Sequence, residues 1–176
     1  MDRRSEVPLE YHDGEVFPLE AATLWHGNIV SNLSDALAPH LTSMPCRKTM
    51  GVRVRPRNRK YIYPDLLVYC GQPKFLDGAE TIENPTVVFE VLSPSTRNYD
   101  YGEKFILYRK LCSLREYVLV AQDQPLIEVY HFGEGGMWKL SSHSGLTAEL
   151  PLESLGISLS LSEIYADVSF PDTSED

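Results

Sequence analysis

Two carboxylates interrupt apolar segments in the middle of this 176-residue chain. Asp65 follows Pro64 and directly precedes the run LLVYC, and Glu90 lies inside the run VVFEVL. A carboxylate among Val, Leu and Phe side chains is costly unless a cation or a hydrogen-bond network receives it. The pattern therefore predicts a polar site inside the fold, and the fold has to bring partners to both acids.

Antiparallel pairing of two strands would bring the acids together. Segments 61–70 and 86–92 have the composition and length of strands. Asp65 is early in the first and Glu90 late in the second, so they meet where neighbouring backbones are about 5 Å apart. Such close carboxylates repel unless a divalent cation or a shared proton lies between them. Oxygen ligands with room for water favour Mg²⁺.

A helix after the second strand supplies a cation. Asp100 and Glu103 have the spacing of a capping box, which predicts that this helix begins at Asp100. Lys104 falls within the apolar stripe of that helix, so we expect it to face the two acids. The alternative is a lysine at the margin of the stripe that extends to water. The stripe consists of Tyr101, Phe105, Tyr108, Leu111 and Cys112.

The element order predicts one α/β (α+β) domain over residues 1–170, followed by a disordered acidic tail over 171–176. The core order is αβββαβ, and the last core strand lies parallel to the one carrying Glu90 because a helix connects them. An N-terminal and a C-terminal β-hairpin are expected in addition to this core with its mixed sheet. The other predicted elements are a hairpin around Asp13–Gly14, a helix over 22–41, a strand over 116–120, hairpin strands over 127–130 and 137–140, and a short helix over 162–166.

The net charge of −9 argues against a non-specific nucleic-acid-binding protein, but one window is basic. Segment 47–60 contains seven of the sixteen Lys and Arg residues and no acid. This ridge could attract phosphates. It could equally be an edge hairpin whose charges prevent aggregation. The predicted nucleic-acid contacts are Arg53, Arg55, Arg57, Arg59 and Lys60.

The three cysteines are scattered in apolar contexts, which predicts buried free thiols in a reducing compartment. No apolar run reaches membrane length, and the N-terminal segment lacks the apolar stretch of a signal peptide. We therefore expect a cytoplasmic protein without a membrane partner.

The segments YIYPDLLVYCG and NPTVVFEVLSPSTRNYDYGEKF resemble the Uma-two restriction endonuclease family of the PD-(D/E)xK nuclease superfamily. The resemblance covers nearly the whole chain, from DGE near Glu15 to LPLESLG and LSEIY. It implies the αβββαβ core, with Asp65 and Glu90 as metal-binding acids. The superfamily pattern has a lysine two residues after the strand acid, whereas Leu92 stands there. Lys104 matches the position to which that lysine has moved in families of this type.

The resemblance implies an endonuclease that hydrolyses DNA with Mg²⁺, for which Mn²⁺ can substitute. Asp65, Glu90 and the carbonyl of Val91 would hold the ion, and Lys104 would orient water or stabilise the phosphate. Cleavage of both DNA strands favours a homodimer. Outer candidates are Glu15, His26 and Arg97.

Several alternatives remain open at this stage. His26 shares a helical stripe with Ile29 and Leu33, which favours a core histidine over a pocket residue. Arg97 follows a turn, where a surface arginine is ordinary. The missing strand lysine and the acidic charge leave open a catalytically weak or inactive module that binds nucleic acid or a partner protein. An RNA-cleaving phosphodiesterase is a third possibility.

Overall fold

The structure is a computed structural model that describes residues 9–12, 15–18, 23–57, 60–76 and 78–170. Among the helices in these ranges, none is long and apolar enough to cross a membrane. The helical segments are α1 (Leu24–Leu41), α2 (Arg97–Tyr99), a π-helical turn (Asp100–Lys104), α3 (Phe105–Tyr108) and α4 (Leu161–Ile164). The strands are β1 (Leu9–His12), β2 (Glu15–Pro18), β3 (Cys46–Thr49), β4 (Arg53–Arg57), β5 (Lys60–Ile62), β6 (Leu66–Cys70), β7 (Phe75–Leu76), β8 (Thr81–Ile82), β9 (Val87–Leu92), β10 (Glu116–Ala121), β11 (Leu126–Phe132), β12 (Trp138–Ser144), β13 (Glu149–Leu152) and β14 (Ile157–Ser160).

A six-stranded mixed sheet forms the centre of the molecule, with strand order β12-β11-β10-β9-β6-β3. Strands β9 and β10 are parallel, whereas β6 pairs antiparallel with β9. The segment from α2 to α3 connects the parallel pair, as the crossover requires. The predicted α+β class, the mixed sheet and the αβββαβ order are confirmed.

A second sheet has the order β2-β1-β5-β4-β8-β7, and β13 pairs with β14. The terminal hairpins are confirmed, although Asp13 and Gly14 lie outside the described residues. The prediction of one strand over 61–70 is wrong. Its first part is β5 in the second sheet and its last part is β6 in the central sheet. Pro64 has no amide hydrogen to donate to a ladder, so the strand is interrupted there.

Both faces of the central strand β9 are buried, and alternation along the strand assigns each side chain to one of them. Phe89 and Val91 pack with the buried side chains of α1. Val88 and Leu92 pack with α3 and the second sheet. Glu90 shares the parity of Val88 and Leu92, so it faces the helical segment after β9 rather than α1.

The start of the long helix α1 is fixed by the side chain of Thr23, the residue before its first turn. The hydroxyl of Thr23 accepts from the amide of His26 at 3.1 Å, which caps the helix. The same hydroxyl donates to Oε1 of Gln122 at 2.7 Å, just beyond the end of β10. The helix ends at Leu41, two residues after Pro39. These contacts fix the start of α1 near one end of the central sheet.

The predicted capping box at Asp100 is wrong, because the helix begins earlier. The amide of Arg97 donates to the carbonyl of Ser93 at 3.0 Å, and that of Asp100 to the carbonyl of Thr96 at 2.9 Å. Asp100 is therefore inside the helical segment, and it is buried. The hydroxyl of Tyr117 donates to the carbonyl of Asp100 at 2.9 Å, which anchors the π-helical turn on β10.

The prediction of three buried free thiols is also wrong. Cys46 on β3 is the register partner of Cys70 on β6, with their Cα atoms 4.0 Å apart, and the two form a disulfide. Cys112 is free and exposed rather than packed in the stripe of its helix. The sequence does not reveal the register that places Cys46 opposite Cys70.

The disulfide should stabilise the protein measurably. Closing a loop with a sequence separation of 24 residues restricts the unfolded chain by about 3 kcal/mol. We expect a reductant to lower the free energy of unfolding by about this amount in urea titrations. A Cys46→Ala/Cys70→Ala variant is the control and should not respond. Three titratable thiols in the untreated, denatured protein, with no response to reductant, would contradict the assignment.

Candidate active site

Lys104 extends from the π-helical turn toward the central sheet. Its ammonium contacts two carboxylates, one on β9 and one on its own helical turn. Its Nζ donates to Oε2 of Glu90 at 2.7 Å and lies 3.2 Å from Oδ1 of Asp100. The three side chains are nearly inaccessible, with exposed fractions of 8% for Lys104 and 3% for each acid. The ring of Tyr99 lies 5.9 Å from the same nitrogen. The structure thus places Lys104 on the sheet side of its helix, as the helical spacing predicts.

Asp65 lies beside this cluster, just before β6. The amide of Val91 donates to Oδ2 of Asp65 at 2.7 Å. The register that pairs Leu66 with Phe89 brings Asp65 level with the end of β9. The carboxylate is 26% exposed, so it is more accessible than Glu90. The two acids identified in the sequence therefore lie on neighbouring strands at one end of the sheet.

The acids are electrostatically coupled. Burial raises the pKa of Glu90 well above its usual value, the ammonium of Lys104 lowers it, and the charges of Asp65 and Asp100 raise it again. Burial also raises the pKa of Asp100, against the opposing effect of Lys104. Within the described part of the chain, Oε1 of Glu90 is buried without a hydrogen-bond partner. The cluster thus contains more buried carboxylate than Lys104 neutralises.

His26 joins the site from α1. Its Nε2 lies 3.3 Å from Oδ2 of Asp65, and the side chain is 17% exposed. Burial opposes protonation of the ring, but the hydrogen bond and the charge of Asp65 outweigh it, so the pKa of His26 is raised. The ring is partly buried and its Nε2 has Asp65 as a partner, as expected for a satisfied histidine, but that partner lies at the candidate site.

The donor set fits a divalent ion that keeps water in its coordination shell. The described residues contain no group of three or more His, Cys, Asp or Glu that could hold a metal by themselves. Mg²⁺, however, is commonly held by one or two carboxylates together with water. Oε1 of Glu90 accepts no hydrogen bond from the residues that the structure describes, and the charge of Asp65 acts on the same carboxyl group. These two acids are therefore the residues that could hold such an ion.

Of the remaining outer candidates, Arg97 has an acidic partner, and the side chain of Glu15 is not among the described residues. Nη2 of Arg97 lies 3.1 Å from Oδ1 of Asp123. Glu15 is in β2, but its side chain is outside the described residues. Because Arg97 is paired with an acid, any phosphate would have to compete with Asp123.

Acidic side chains from a later part of the chain form ion pairs with the basic window 47–60. Arg53 pairs with Glu80 at 3.1 Å, and two nitrogens of Arg55 donate to Oε1 of Glu83. Lys60 is half-buried in β5. The side chain of Arg57 and the whole of Arg59 lie outside the described residues. The positive ridge expected from sequence is thus partly neutralised.

Asp100 is the member of the cluster that sequence reasoning did not identify as a site residue. It precedes Lys104 by four residues, which is the spacing of a helical ion pair. That signal was present, but the same residue also matched a capping box. Only the observed start of the helix at Arg97 distinguishes the two interpretations.

Comparisons with known proteins find a matching family model and similar relatives. Residues 1–162 match the Uma2 family model, described as "Putative restriction endonuclease". Two uncharacterized proteins of Synechocystis sp. are similar. The first, slr1290, is 31% identical over 96% of this chain and 89% of its own length. The second, sll1609, is 31% identical over 80% of this chain and 81% of its own length.

A solved structure shares the fold. The crystal structure of "a putative nuclease belonging to DUF820" from Anabaena variabilis superposes with a TM-score of 0.76. The match covers 92% of this chain and 91% of that one, at 16% sequence identity. At this identity the likeness shows the common fold alone.

Ionised Glu90 should destabilise the metal-free protein. Burial raises the pKa of Glu90 in the folded protein above its unfolded-state pKa of about 4.5. The protonated carboxyl therefore stabilises the folded state below about pH 4.5, and this stabilisation is lost as the pH rises through the folded-state pKa. We expect Glu90→Gln to raise the melting temperature in EDTA at about pH 8, where 1 kcal/mol corresponds to about 2–4 °C for a chain of this size. Glu103→Gln, at an exposed position on the π-helical turn, is the control. A lower melting temperature for Glu90→Gln than for the parent would contradict this reading.

Proposed function

The chain belongs to the Uma2 restriction endonuclease family, and from that premise we propose that it is a metal-dependent endonuclease that hydrolyses DNA phosphodiester bonds. The family and the fold support a nuclease. The observation that carries the finer proposal is the convergence of Asp65, Glu90 and Lys104 from three separate elements. In this proposal the three side chains act on one scissile phosphate.

Two acids are the proposed ligands of Mg²⁺, for which Mn²⁺ can substitute. The ion would be held by Asp65, Glu90 and the backbone carbonyl of Val91. Oε1 of Glu90, which accepts no hydrogen bond from the described residues, is the oxygen of Glu90 that is available to it. When bound, such an ion lowers the pKa of a coordinated water and neutralises charge on the phosphate. The excess of buried negative charge over the single ammonium of Lys104 supports cation binding at this place.

Lys104 supplies the positive charge that the reaction needs close to the phosphate. Its ammonium orients the attacking water or stabilises the pentacovalent phosphate, which is a positioning and electrostatic role. Burial strengthens this role because few water molecules screen the charge. Nε2 of His26 contacts Oδ2 of Asp65, the oxygen that also accepts from the amide of Val91. His26 is a further candidate for contact with a phosphate.

Contacts to the DNA backbone are proposed for the basic segment and Arg97. These contacts position the duplex without reading its sequence. Cleavage of both strands would require two such sites, which favours a homodimer. The basic segment contributes Arg53, Arg55, Arg57, Arg59 and Lys60, and Glu15 stays a candidate for an additional metal ligand.

Two substitutions test the proposed activity on supercoiled plasmid with Mg²⁺. Asp65→Asn removes a ligand charge and Lys104→Met removes the ammonium, and each should reduce cleavage by about 100-fold or more. EDTA should abolish cleavage by the parent protein. Lys110→Met is a matched control at an exposed position after α3 and should cleave like the parent.

Labelled RNA incubated in parallel separates a DNA-cleaving enzyme from an RNA-cleaving one. Undiminished Mg²⁺-dependent cleavage by Asp65→Asn would refute the proposed site. Cleavage of RNA alone would refute the proposed substrate.

A second candidate function is a catalytically inactive module that binds nucleic acid or a partner protein. It is favoured by the engagement of Lys104 with two buried carboxylates and by the absence of a lysine two residues after Glu90. Calorimetric titration with Mg²⁺ discriminates between the two functions. The proposed enzyme binds the ion and cleaves, whereas the inactive module needs neither property.

A further inference from the structure

Asp100 contributes a second buried carboxylate to Lys104. Its side chain is 3% exposed, and its Oδ1 lies 3.2 Å from Nζ of Lys104. The contact is a close ion pair, and the side chain of Thr96 also interacts with the carboxylate of Asp100. Asp100 does not cap the helix, since the helical segment begins at Arg97. Its carboxylate therefore has another reason to be buried here.

The backbone of Asp100 is held independently of its side chain. The hydroxyl of Tyr117 donates to its carbonyl, and its amide donates to the carbonyl of Thr96. These two backbone contacts do not involve the carboxylate, which interacts with the side chains of Thr96 and Lys104. Burying a second carboxylate next to a pair that Glu90 and Lys104 already form is costly. A cost of this kind is typical of functional sites.

The position of Asp100 solves a problem that a metal ion would create for Lys104. In the proposed enzyme, Glu90 is a metal ligand, yet its Oε2 also accepts from the ammonium of Lys104. A divalent cation on Glu90 repels that ammonium and weakens its attachment to β9. Asp100 lies on the same helical segment as Lys104 and retains it from a second direction.

We propose that Asp100 is a positioning residue, whose carboxylate keeps the ammonium of Lys104 at the scissile phosphate while Glu90 binds the metal. This inference rests on the proposed function, because it assigns Asp100 to the same reaction. Asp100 does not contact the substrate and acts only through Lys104. The role predicts a loss of turnover that persists at saturating DNA and Mg²⁺.

The test compares Asp100→Asn with the parent enzyme in steady-state cleavage of a DNA duplex. We expect kcat to fall by about tenfold or more, as for loss of a group that acts in the transition state. KM for DNA should change by less than about twofold. The Kd for Mg²⁺ is measured by calorimetry, and kcat is compared at a Mg²⁺ concentration well above it, because loss of a buried negative charge also weakens cation binding. Asp100→Glu retains the charge and should recover most of the lost kcat. Unchanged kcat in Asp100→Asn would overturn the inference.

A double-mutant comparison separates positioning of Lys104 from a structural effect. Asp100→Asn should cost nothing further in a Lys104→Met background, because the group through which it acts is absent. An equal loss in both backgrounds would overturn the inference. If Lys104→Met does not fold, the recovery by Asp100→Glu decides, and equal activities of the Glu and Asn variants would count against it.

The parent enzyme provides the control for the proposed function itself. If the parent shows no Mg²⁺-dependent cleavage, the proposed function fails, and with it the premise of this inference. If the parent cleaves, Asp65→Asn does not, and Asp100→Asn cleaves normally, only the role of Asp100 fails. The two failures are therefore distinguishable in one set of assays.

Discussion

The buried ammonium of Lys104, held between Glu90 and Asp100, is the interaction on which the rest of the site depends. Removing the ammonium would leave two buried carboxylates without a counter-charge, and breaking a buried ion pair in this way typically costs about 3–5 kcal/mol. The interaction joins the helical crossover to the central strand β9, so it links the path of the chain to the chemistry of the site. The antiparallel pairing of β6 and β9 then adds Asp65, whose carboxylate is fixed by the amide of Val91. Three elements that are distant in sequence thus meet at one end of the sheet.

Much of this arrangement was predictable from local pattern. The runs that form β9 and β10 are entirely buried, and a crossover between such strands makes them parallel. Alternation along β9 places Glu90 on the face covered by the crossover. The apolar spacing around Lys104 then turns its side chain inward. These inferences needed only periodicities and a connection rule, which is why they could be made from the sequence.

Other features depend on register or on distant partners and could not be predicted in this way. The disulfide requires Cys46 and Cys70 to be opposite each other on paired strands. The acids that neutralise Arg53 and Arg55 occur 27 and 28 residues later in the chain. Asp100 satisfied a local capping pattern, whereas the actual start of the helix is fixed by the preceding turn. In the first two cases a tertiary contact overrode a locally consistent interpretation, and in the third a competing local turn did so.

The most direct measurement of the central interaction is a crystal structure with Mn²⁺ bound, in which anomalous scattering locates the ion. The ion should lie against the carboxylates of Asp65 and Glu90, with Nζ of Lys104 still within hydrogen-bonding distance of Asp100. An ion bound elsewhere, or a Lys104 side chain turned away from both Glu90 and Asp100, would contradict the proposed arrangement.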